Sequence, residues 1–348
     1  MTEPPAPASG AGGGAPVAAV VPKPEAEAAV DRYRRAGVYD DRRSVRERDA
    51  ETVEVPVTGP PGDRADGREV VVQTDPPWRP TGLQSRLRER GFTREEIERA
   101  PGSWAVVGGV VLARFDGCPR RAEVARALLD LHGEAHTVLD RRGIAGPHRE
   151  PAVEVVAGRG RTETVHTEHG TEYALDLANV MFSPGNEAER VRMGEAVRPG
   201  EAVLDMFAGV GYFALPMARA GARVTAVECN PAAVEYLLRN RRRNGVRERL
   251  SVVRADCRDA VGAGVGHGAD RVVMGHFDAG EYLAPALAAL ADGGTLHVHA
   301  VGHESERERP AERVRAAADR PVAAECRVVK TFSEGLEHVV VDAAVGGD

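Results

Sequence analysis

The chain has 348 residues, of which 42% are hydrophobic and 28% are charged, a composition typical of a globular protein with two or three domains. Its formal net charge of −7 excludes a protein that is basic over its whole surface, but it allows a nucleic-acid binder whose positive charge lies on one face. Of the 46 basic residues only Lys23 and Lys330 are lysine, and this preference for arginine is typical of a GC-rich genome.

Several classes of protein are disfavoured by the residue spacing. The four cysteines lie far apart and form no Cys-x-x-Cys pair, which argues against a zinc ribbon, a redox pair and a disulfide framework. His297, His299 and His303 lack a carboxylate or cysteine at ligand spacing, so we expect no metal. No run of about 18 apolar residues is present, and the beginning of the chain lacks the pattern of a signal peptide. The sequence therefore predicts a soluble, cytoplasmic protein with no membrane span.

The first half of the chain predicts two small domains. Residues 1–16 are rich in Ala, Gly and Pro and predict a flexible tail. Residues 17–66 predict a small N-terminal unit, in which a helix over residues 25–35 precedes a strand over residues 52–57, and residues 58–67 predict a loop.

Residues 67–161 predict an α+β middle domain. Its expected elements are surface helices on either side of Gly91, a strand pair over residues 104–115, a helix over residues 121–132, and strands over residues 137–139 and 152–157.

Residues 162–348 predict an α/β domain. Apolar strands at residues 202–206, 223–228, 250–255, 271–274 and 295–300 alternate with helical patterns, of which the clearest are at residues 231–243, 281–290 and 311–318. This alternation predicts a mostly parallel, Rossmann-like sheet with helices on both faces. Two final strands, at residues 324–331 and 337–343, predict a C-terminal antiparallel hairpin.

The segment after the first of these strands has the pattern of a nucleoside-binding turn. Asp205 ends the strand, Phe207 follows, and Gly209 and Gly211 form a Gly-x-Gly turn before a helix. Glycine is required where the backbone turns sharply and approaches a ligand closely.

Two further acids follow the next two strands. Glu228 ends the second strand, where a carboxylate typically accepts hydrogen bonds from ribose hydroxyls, and Asp256 follows the third, where it is placed to accept from an adenine amino group. Three acids at successive strand ends fit a nucleoside without phosphates, and the third glycine of a dinucleotide fingerprint is absent. The pattern therefore favours S-adenosylmethionine, with NAD as the alternative.

Two other segments lie where this fold places the reaction. Gly275-His276-Phe277-Asp278 follows the fourth strand and lacks the Pro-Pro turn of amino-group methylases and the Pro-Cys nucleophile of cytosine methylases. His276 is therefore either a base or substrate contact, or a histidine with a structural role in the loop. The segment from Ser183 to Arg190 predicts a loop and a helix start.

Together these segments resemble the group of enzymes that modify position 37 of tRNA. The guanine-N1 methyltransferases of that group have Ser-Pro-Arg in the first loop and Asn-Leu-Pro after strand four, whereas this chain has Ser183-Pro184-Gly185-Asn186 and Met274-Gly275-His276. In both segments the chain instead resembles the wybutosine-synthesising protein 2 family, the tRNA 4-demethylwyosine aminocarboxypropyltransferases. Further matches lie at residues 162–170, 297–299 and 337–342, and the resemblance covers residues 20–345.

The resemblance implies a class I S-adenosylmethionine-dependent fold. It implies that the 3-amino-3-carboxypropyl group is transferred to carbon 7 of 4-demethylwyosine at position 37 of tRNA-Phe, with release of methylthioadenosine. It also implies that Arg190 pairs with the carboxylate of the cofactor. The site residues expected from pattern and resemblance together are the catalytic His276, Asn186 and Glu189, and the cofactor-binding Ser183, Arg190, Asp205, Phe207, Gly209, Gly211, Glu228, Asp256 and Cys257.

A cluster of arginines follows the second strand of this domain. Eight arginines lie between Arg239 and Arg258, against Glu248 and Asp256. We expect tRNA contacts from Arg239, Arg241, Arg242 and Arg243, although a solvated helix face has the same composition. Two other functions remain open: a tRNA guanine-N1 methyltransferase, and a catalytically silent RNA-binding protein of the same fold.

Overall fold

The computed structural model describes residues 15–59, 68–76, 82–146, 148–333 and 335–347. Contacts within the chain define two compact units, one ending at Thr93 and one beginning at Arg94. Most of the predicted tail and of the predicted loop at residues 58–67 lie outside the described residues. Residues of the predicted middle and last domains share one hydrophobic core.

The first unit is an antiparallel sheet with a helix packed on it. Its elements are β1 (Val17–Pro22), α1 (Ala26–Arg35), β2 (Arg46–Glu47), β3 (Thr52–Val57), β4 (Val70–Val72) and α2 (Leu83–Glu89). The strand order is β2-β3-β1-β4. Arg43, which is 1% exposed, donates hydrogen bonds to carbonyls of β1 and β3 and so joins the two strands. The predicted helix at residues 25–35 and the strand at residues 52–57 are confirmed.

The second unit begins with a four-stranded sheet. Its elements are α3 (Arg94–Glu98), β5 (Trp104–Val107), β6 (Val110–Ala113), α4 (Arg121–Leu131), β7 (Thr137–Ala145) and β8 (Glu150–Gly158). The strand order is β5-β6-β7-β8, with β6 and β7 parallel. The hairpin of β7 and β8 is longer than predicted, because backbone pairing continues past the charged residues 140–142, where the apolar pattern ends.

A hairpin and a helix connect this sheet to the larger one. They are β9 (Glu163–Glu168), β10 (Thr171–Asp176) and α5 (Glu187–Ala196). The mixed polar sequence of β9 and β10 gives no clear strand pattern, yet Tyr173, Ala174 and Leu175 are buried in the core. Asn240 fixes this hairpin, since its side chain accepts from the Ala174 N–H and donates to the Ala174 carbonyl.

The larger sheet has seven strands with helices on both faces. Its elements are β11 (Ala202–Asp205), α6 (Ala214–Arg219), β12 (Arg223–Glu228), α7 (Pro231–Arg243), β13 (Leu250–Arg254), α8 (Cys257–Gly262), β14 (Ala269–Met274), α9 (Leu283–Ala289), β15 (Leu290–His303), α10 (Arg309–Ala317), β16 (Val322–Ser333) and β17 (Leu336–Val345). The strand order is β13-β12-β11-β14-β15-β17-β16. Residues of α6 and α7 pack in one core, and residues of α8, α9 and α10 pack in the other.

The direction of the strands determines what meets at one edge of this sheet. β11 to β15 are parallel, β17 is antiparallel to both β15 and β16, and β16 therefore runs in the same direction as β15. The carboxyl ends of β11 to β16 accordingly lie at one edge, where ligands bind in open α/β sheets. The predicted Rossmann-like fold and C-terminal hairpin are confirmed. None of the described helices is long and apolar enough to cross a membrane.

Candidate functional site

A cavity of about 530 Å³ lies between the carboxyl ends of the parallel strands and the β7–β8 hairpin. Eight of the predicted catalytic and cofactor-binding residues line it: Ser183, Asn186, Phe207, Gly209, Glu228, Asp256, Cys257 and His276. The other four, Glu189, Arg190, Asp205 and Gly211, are not among the lining residues. Most of the predicted site residues therefore line one cavity, and the other four lie outside its lining.

Glu228 and the glycine turn form one hydrogen-bonded unit. The Gly209 N–H donates to Glu228 Oε2 at 2.7 Å, and the Asn230 N–H donates to Oε1 at 2.7 Å. Gly211 has a φ of 102°, and a Cβ there would lie 2.6 Å from the side chain of Leu215, so only glycine fits. The turn thus presents the Glu228 carboxylate to the cavity in a fixed orientation, with lone pairs left for a ligand.

Asp205 is fully buried behind this turn. Its Oδ1 accepts from the Phe207 N–H at 3.2 Å, and its Oδ2 has no hydrogen-bond partner among the described residues. Burial, with a smaller contribution from the nearby charge of Glu228, raises the pKa of Asp205 to about 7, against the lowering effect of the Phe207 and Ala214 backbone N–H groups. An acid held in this way orders the turn rather than facing the cavity.

Asp256 begins α8 and is already paired. It caps the helix by accepting from the Arg258 N–H, and it forms a two-point ion pair with the Arg258 guanidinium at 2.7 and 2.9 Å. The hydrogen bond from Arg258 lowers the pKa of Asp256. Burial raises the pKa of the neighbouring Cys257 to about 12, so this thiol stays protonated and provides no nucleophile.

Aromatic rings border the cavity beside the turn. The Phe207 ring centroid lies 5.1 Å from that of His276 and 5.1 Å from that of Tyr282. His276 Nδ1 lies 3.1 Å from the Asp278 nitrogen, and its Nε2 lies 3.3 Å from Arg149 Nη1. Burial and then the charge of Arg149 lower the pKa of His276, which is therefore neutral at pH 7.

Arg190 supports the loop before α5 from behind. Its guanidinium makes a two-point ion pair with Glu168 at 2.5 and 2.6 Å and donates to the carbonyls of Ser183 and Pro184. Burial opposes the charged form of Glu168, but the hydrogen bonds from His166 and Arg190 outweigh it and lower the pKa of this carboxyl. Because Arg190 is 2% exposed and its donors are occupied, the structure gives it a positioning role in place of the expected pairing with the cofactor carboxylate.

The two other predicted residues of this loop differ from each other. Glu189 is 2% exposed and forms a two-point ion pair with Arg327 at 2.8 Å, outside the cavity, so the geometry does not support a catalytic role for it. Asn186 does line the cavity, and its Oδ1 accepts a hydrogen bond of 2.6 Å from Lys330 Nζ.

Among the cavity residues that were not expected as site residues from the sequence are Arg149, Lys330 and Phe332. Arg149 and Lys330 are cations without a carboxylate hydrogen-bond partner among the described residues, and Phe332 is 46% exposed at the mouth. Their places on a hairpin tip and on the edge strand depend on long-range pairing. The single available signal was that Lys330 is one of only two lysines in a chain rich in arginine.

The predicted RNA-binding arginines lie away from the cavity. Ala233 of α7 lines it, and Arg239 to Arg243 follow six to ten residues later, roughly 9–15 Å along the helix axis. Arg239 is ion-paired with Glu163, and Arg243 with Glu172. Arg241 donates to a carbonyl and Arg242 is exposed, so part of the local positive charge is neutralised within the chain.

The histidines of β15 have structural partners. His297 is hydrogen-bonded to Asp342 and Arg271, and His299 Nδ1 lies 2.9 Å from His338 Nε2. In the described residues no group of three or more His, Cys, Asp or Glu side chains is arranged to hold a metal ion.

Two domain families match adjoining parts of the chain. The TRM5/TYW2 methyltransferase domain matches residues 164–329, and the TYW2 N-terminal domain matches residues 83–162.

One similar protein is the tRNA(Phe) (4-demethylwyosine(37)-C(7)) aminocarboxypropyltransferase of Pyrococcus horikoshii. It is 35% identical over 280 residues, which are 77% of this chain and 99% of that protein. The crystal structure of P. horikoshii TYW2 in complex with MeSAdo aligns with a TM-score of 0.64 at 31% identity, over 76% of this chain and 100% of that chain.

A second similar protein is the tRNA (guanine(37)-N(1))-methyltransferase Trm5b of Pyrococcus abyssi. It is 30% identical over 261 residues, which are 72% of this chain and 77% of that protein. The crystal structure of P. abyssi Trm5b aligns with a TM-score of 0.70 at 28% identity, over 95% of this chain and 99% of that chain.

The sheet order, the glycine turn and the cavity at the strand ends define a Rossmann-like protein of the methyltransferase type. The chain belongs to the TRM5/TYW2 family.

Proposed function

We propose that this protein transfers the 3-amino-3-carboxypropyl group of S-adenosylmethionine to carbon 7 of 4-demethylwyosine at position 37 of tRNA-Phe, in the cytoplasm, and releases methylthioadenosine. The observation that carries the proposal is the similarity to the P. horikoshii aminocarboxypropyltransferase over 99% of that protein, together with the match to the TYW2 N-terminal domain.

The glycine-turn end of the cavity suits the nucleoside of S-adenosylmethionine. Each oxygen of Glu228 accepts one backbone hydrogen bond, so lone pairs remain for two ribose hydroxyls. Phe207 and Tyr282 provide aromatic surface for the adenine. When bound, the sulfonium offers three carbons to a nucleophile, and the carbon that is aimed at the nucleophile reacts.

The other end of the cavity suits the amino-acid part and the base. Since Arg190 is occupied by Glu168, we assign the cofactor carboxylate to Arg149, which lines the cavity and whose Nε is buried without a partner among the described residues. Ile144 and Phe332 are 48% and 46% exposed at the mouth. Exposed apolar groups of this kind pack against an unstacked base of an RNA loop.

The products of the reaction test the proposal. The full chain is incubated with S-adenosylmethionine and tRNA-Phe that carries 4-demethylwyosine, and the nucleoside products are separated. We expect methylthioadenosine in amounts equal to the modified tRNA. Adenosylhomocysteine in its place would identify a methyltransferase, and neither product would identify a catalytically silent RNA-binding protein.

The guanine-N1 methyltransferase is the second candidate, because P. abyssi Trm5b is also similar over most of the chain. Gly185 and Gly275 argue against a methyltransferase, because the methyltransferases have Arg and Asn at these two positions. A Cβ on Gly275 would lie 2.8 Å from the Phe213 ring, whereas a Cβ on Gly185 would lie 3.4 Å from Lys330 Nζ. A side chain at position 275 therefore requires Phe213 to move, whereas a Cβ at position 185 meets Lys330 Nζ at an ordinary contact distance.

The double variant Gly185→Arg/Gly275→Asn tests whether these glycines contribute to the choice of product. We expect it to lose aminocarboxypropyl transfer to 4-demethylwyosine, since both new side chains enter the end of the cavity that holds the transferred group. If it still makes only the aminocarboxypropyl product at the wild-type rate, this account of selectivity is wrong. Calorimetry with S-adenosylmethionine separates a loss of transfer from a loss of cofactor binding.

A further inference from the structure

The proposed transfer requires a proton acceptor. This inference rests on the proposed function, in which the new carbon–carbon bond replaces a carbon–hydrogen bond at carbon 7 of the base. The hydrogen must leave as a proton, and a positioned base accelerates such a step by roughly 10²- to 10⁴-fold.

The bases that line the cavity divide between its two ends. Glu228, Asp256 and His148 lie at the nucleoside end. Glu228 accepts two backbone N–H groups, Asp256 is ion-paired with Arg258, and His148 lies beside Cys229, the residue after Glu228. The three bases nearer the opposite end are His276, His299 and Lys330, of which His276 also contacts the Phe207 ring of the nucleoside end.

The two histidines at that end are poorly suited to accept a proton. Both ring nitrogens of His276 face donors, the Asp278 N–H and the Arg149 guanidinium, so its one lone pair is engaged in either tautomer. His299 is 2% exposed and bonded to His338, and burial together with the charges of His338 and His297 keeps its pKa well below the ordinary value. A proton on either ring would create a cation beside another cation or in the core.

Lys330 has the opposite environment. It lies near the end of β16, at the edge where the parallel strands end, and it lines the cavity. One hydrogen bond, of 2.6 Å to Asn186 Oδ1, orients the amine, and no carboxylate of the described residues is paired with it. An amine that donates to an amide oxygen can direct its lone pair elsewhere, whereas an arginine at the same position could not lose a proton.

We propose that Lys330 Nζ is the group that accepts the proton from carbon 7 of the base. Carbon 7 attacks the methylene carbon attached to the sulfonium, and the carbon–sulfur bond breaks with its electron pair going to sulfur, which leaves as neutral methylthioadenosine. The electrons of the carbon 7–hydrogen bond return to the ring, and the proton goes to the lone pair of the amine. The resulting ammonium then releases the proton to solvent.

The charges around Lys330 favour a free amine. Burial and then the charges of Arg141 of β7 and Arg190 of α5 lower the pKa of Lys330. His338 of β17 lies on the third side, and burial and the charge of Lys330 lower its pKa to about 4, so it is neutral. The Phe332 ring, 5.0 Å from Nζ, is the remaining neighbour. The amide oxygen of Asn186 and the Phe332 ring are thus the contacts that favour the ammonium, and no carboxylate of the described residues is paired with it.

Two substitutions separate a basic role from a cationic one. Lys330→Arg keeps the charge but has no lone pair to offer, and Lys330→Ala removes both. Single-turnover formation of methylthioadenosine with 4-demethylwyosine tRNA is followed from pH 6 to pH 9 with the full chain. Lys23→Arg is the matched control, since the chain's other lysine lies in the first unit and is ion-paired with Glu47.

We expect the rate of the wild type to rise with pH as the amine becomes free. Both Lys330 variants should be at least 100-fold slower at pH 9, with the affinity for S-adenosylmethionine, measured by calorimetry, within threefold of wild type. Added ethylamine should restore part of the rate of Lys330→Ala in proportion to the concentration of free amine. Lys23→Arg should behave as wild type.

Transfer by Lys330→Arg within threefold of the wild-type rate, with an unchanged pH profile, would overturn the proposal, because a charge alone would then suffice. Absence of rescue by ethylamine in a folded, cofactor-binding Lys330→Ala variant would also count against it. Failure of the proposed function has a different signature, since the wild type itself would then release no methylthioadenosine.

Discussion

The two ends of the cavity are built in different ways. At the nucleoside end, a carboxylate is held by backbone N–H groups of nearby residues: Glu228 accepts from Gly209 and Asn230, which are 19 and two residues away. At the opposite end, side chains contact side chains from distant parts of the chain. Lys330 and Asn186 are 144 residues apart, and Arg149 and His276 are 127 residues apart.

This difference separates a property of the fold from a property of the particular enzyme. A turn fixed by its own backbone survives changes elsewhere in the chain, so many proteins of this fold can share a nucleoside site. An end assembled from four separate segments can change its chemistry by single substitutions. We therefore expect substitutions at the nucleoside end to alter cofactor binding, and substitutions of Lys330 at the opposite end to alter the chemical step.

The largest effect should come from the ion pair that supports the opposite end. Arg190→Met leaves the buried Glu168 with only His166 as a hydrogen-bond partner, and it removes one of the donors to the Ser183 and Pro184 carbonyls. We expect the free energy of unfolding to fall by about 3–5 kcal/mol, as for other broken buried pairs, measured by urea denaturation.

An exposed pair of the same unit provides the control. Arg94→Ala removes the ion pair of Arg94 with Glu98, whose side chains are 93% and 61% exposed, respectively. The free energy of unfolding should fall by less than about 1 kcal/mol. The double variant Arg190→Met/Glu168→Gln should recover part of the loss, because no charge is left unpaired. If Arg190→Met were no more destabilising than Arg94→Ala, the loop would not depend on this pair.

A pH-dependent effect should come from Asp205, behind the nucleoside end. Its pKa is about 7 in the folded protein, against 3.8 for an ordinary aspartate, so above pH 4 the unfolded chain loses this proton more easily. Asp205 therefore lowers stability progressively from pH 4 to pH 7. Asp205→Asn keeps an oxygen for the Phe207 N–H without the charge, and its stability relative to wild type should increase by about 2–4 kcal/mol over that range.

Denaturation of the two proteins at a series of pH values measures this difference directly. Asp319→Asn, at a carboxylate that is 92% exposed, is the control, and its stability relative to wild type should be nearly constant with pH. A constant difference for Asp205→Asn as well would show that the buried carboxyl is not strained by its surroundings.

The next effect concerns cofactor affinity. Glu228→Gln keeps one oxygen but turns an N–H₂ group toward one of the two backbone donors, and we expect S-adenosylmethionine to bind about 10- to 100-fold more weakly, measured by calorimetry. Asp256→Asn should weaken binding less than tenfold, because Asp256 is already paired with Arg258 and its side chain is 36% exposed. An equal or larger effect of Asp256→Asn would reverse the ranking of the two strand-end acids.

The nucleoside end could be predicted from the sequence because its determinants are local. The apolar strand, the acid and the Gly-x-Gly turn are contiguous, and Glu228 ends the next strand, so that strand alternation alone brings these residues to one edge. The same reasoning predicted all seven strands of the larger sheet, including the two of the C-terminal hairpin. The predicted bounds differ from the observed ones chiefly at the long β15.

The opposite end could not be predicted in the same way. The pairing of Arg190 with Glu168 depends on the β9–β10 hairpin, whose mixed polar sequence has no strand pattern. The position of Lys330 depends on β16 running parallel to β15, which follows from how two antiparallel strands pair and not from any local motif. Ser183 and Asn186 were expected at the site, but their partners were not.

The smallest expected effect concerns the arginines at the end of α7, and it tests whether RNA recognition extends beyond the cavity. Replacing Arg241, Arg242 and Arg243 together by alanine should weaken tRNA binding and reduce the slope of log affinity against log salt. Each phosphate contact contributes roughly 0.7–0.9 to that slope. Because Arg243 is ion-paired with Glu172 and Arg241 donates to a carbonyl, we expect the loss of about one contact and not three.

Arg141→Ala is the comparison, since this exposed arginine lines the cavity. One substitution there should reduce the slope as much as the three substitutions on α7, because a cation at the cavity mouth meets the phosphates that flank the bound base. An unchanged slope for the triple variant would remove α7 from the RNA interface and confine anion recognition to the cavity. A slope reduced by about two units or more would instead mean that tRNA displaces Glu172 from Arg243. The positive surface that meets RNA would then include arginines that are ion-paired in the chain without tRNA.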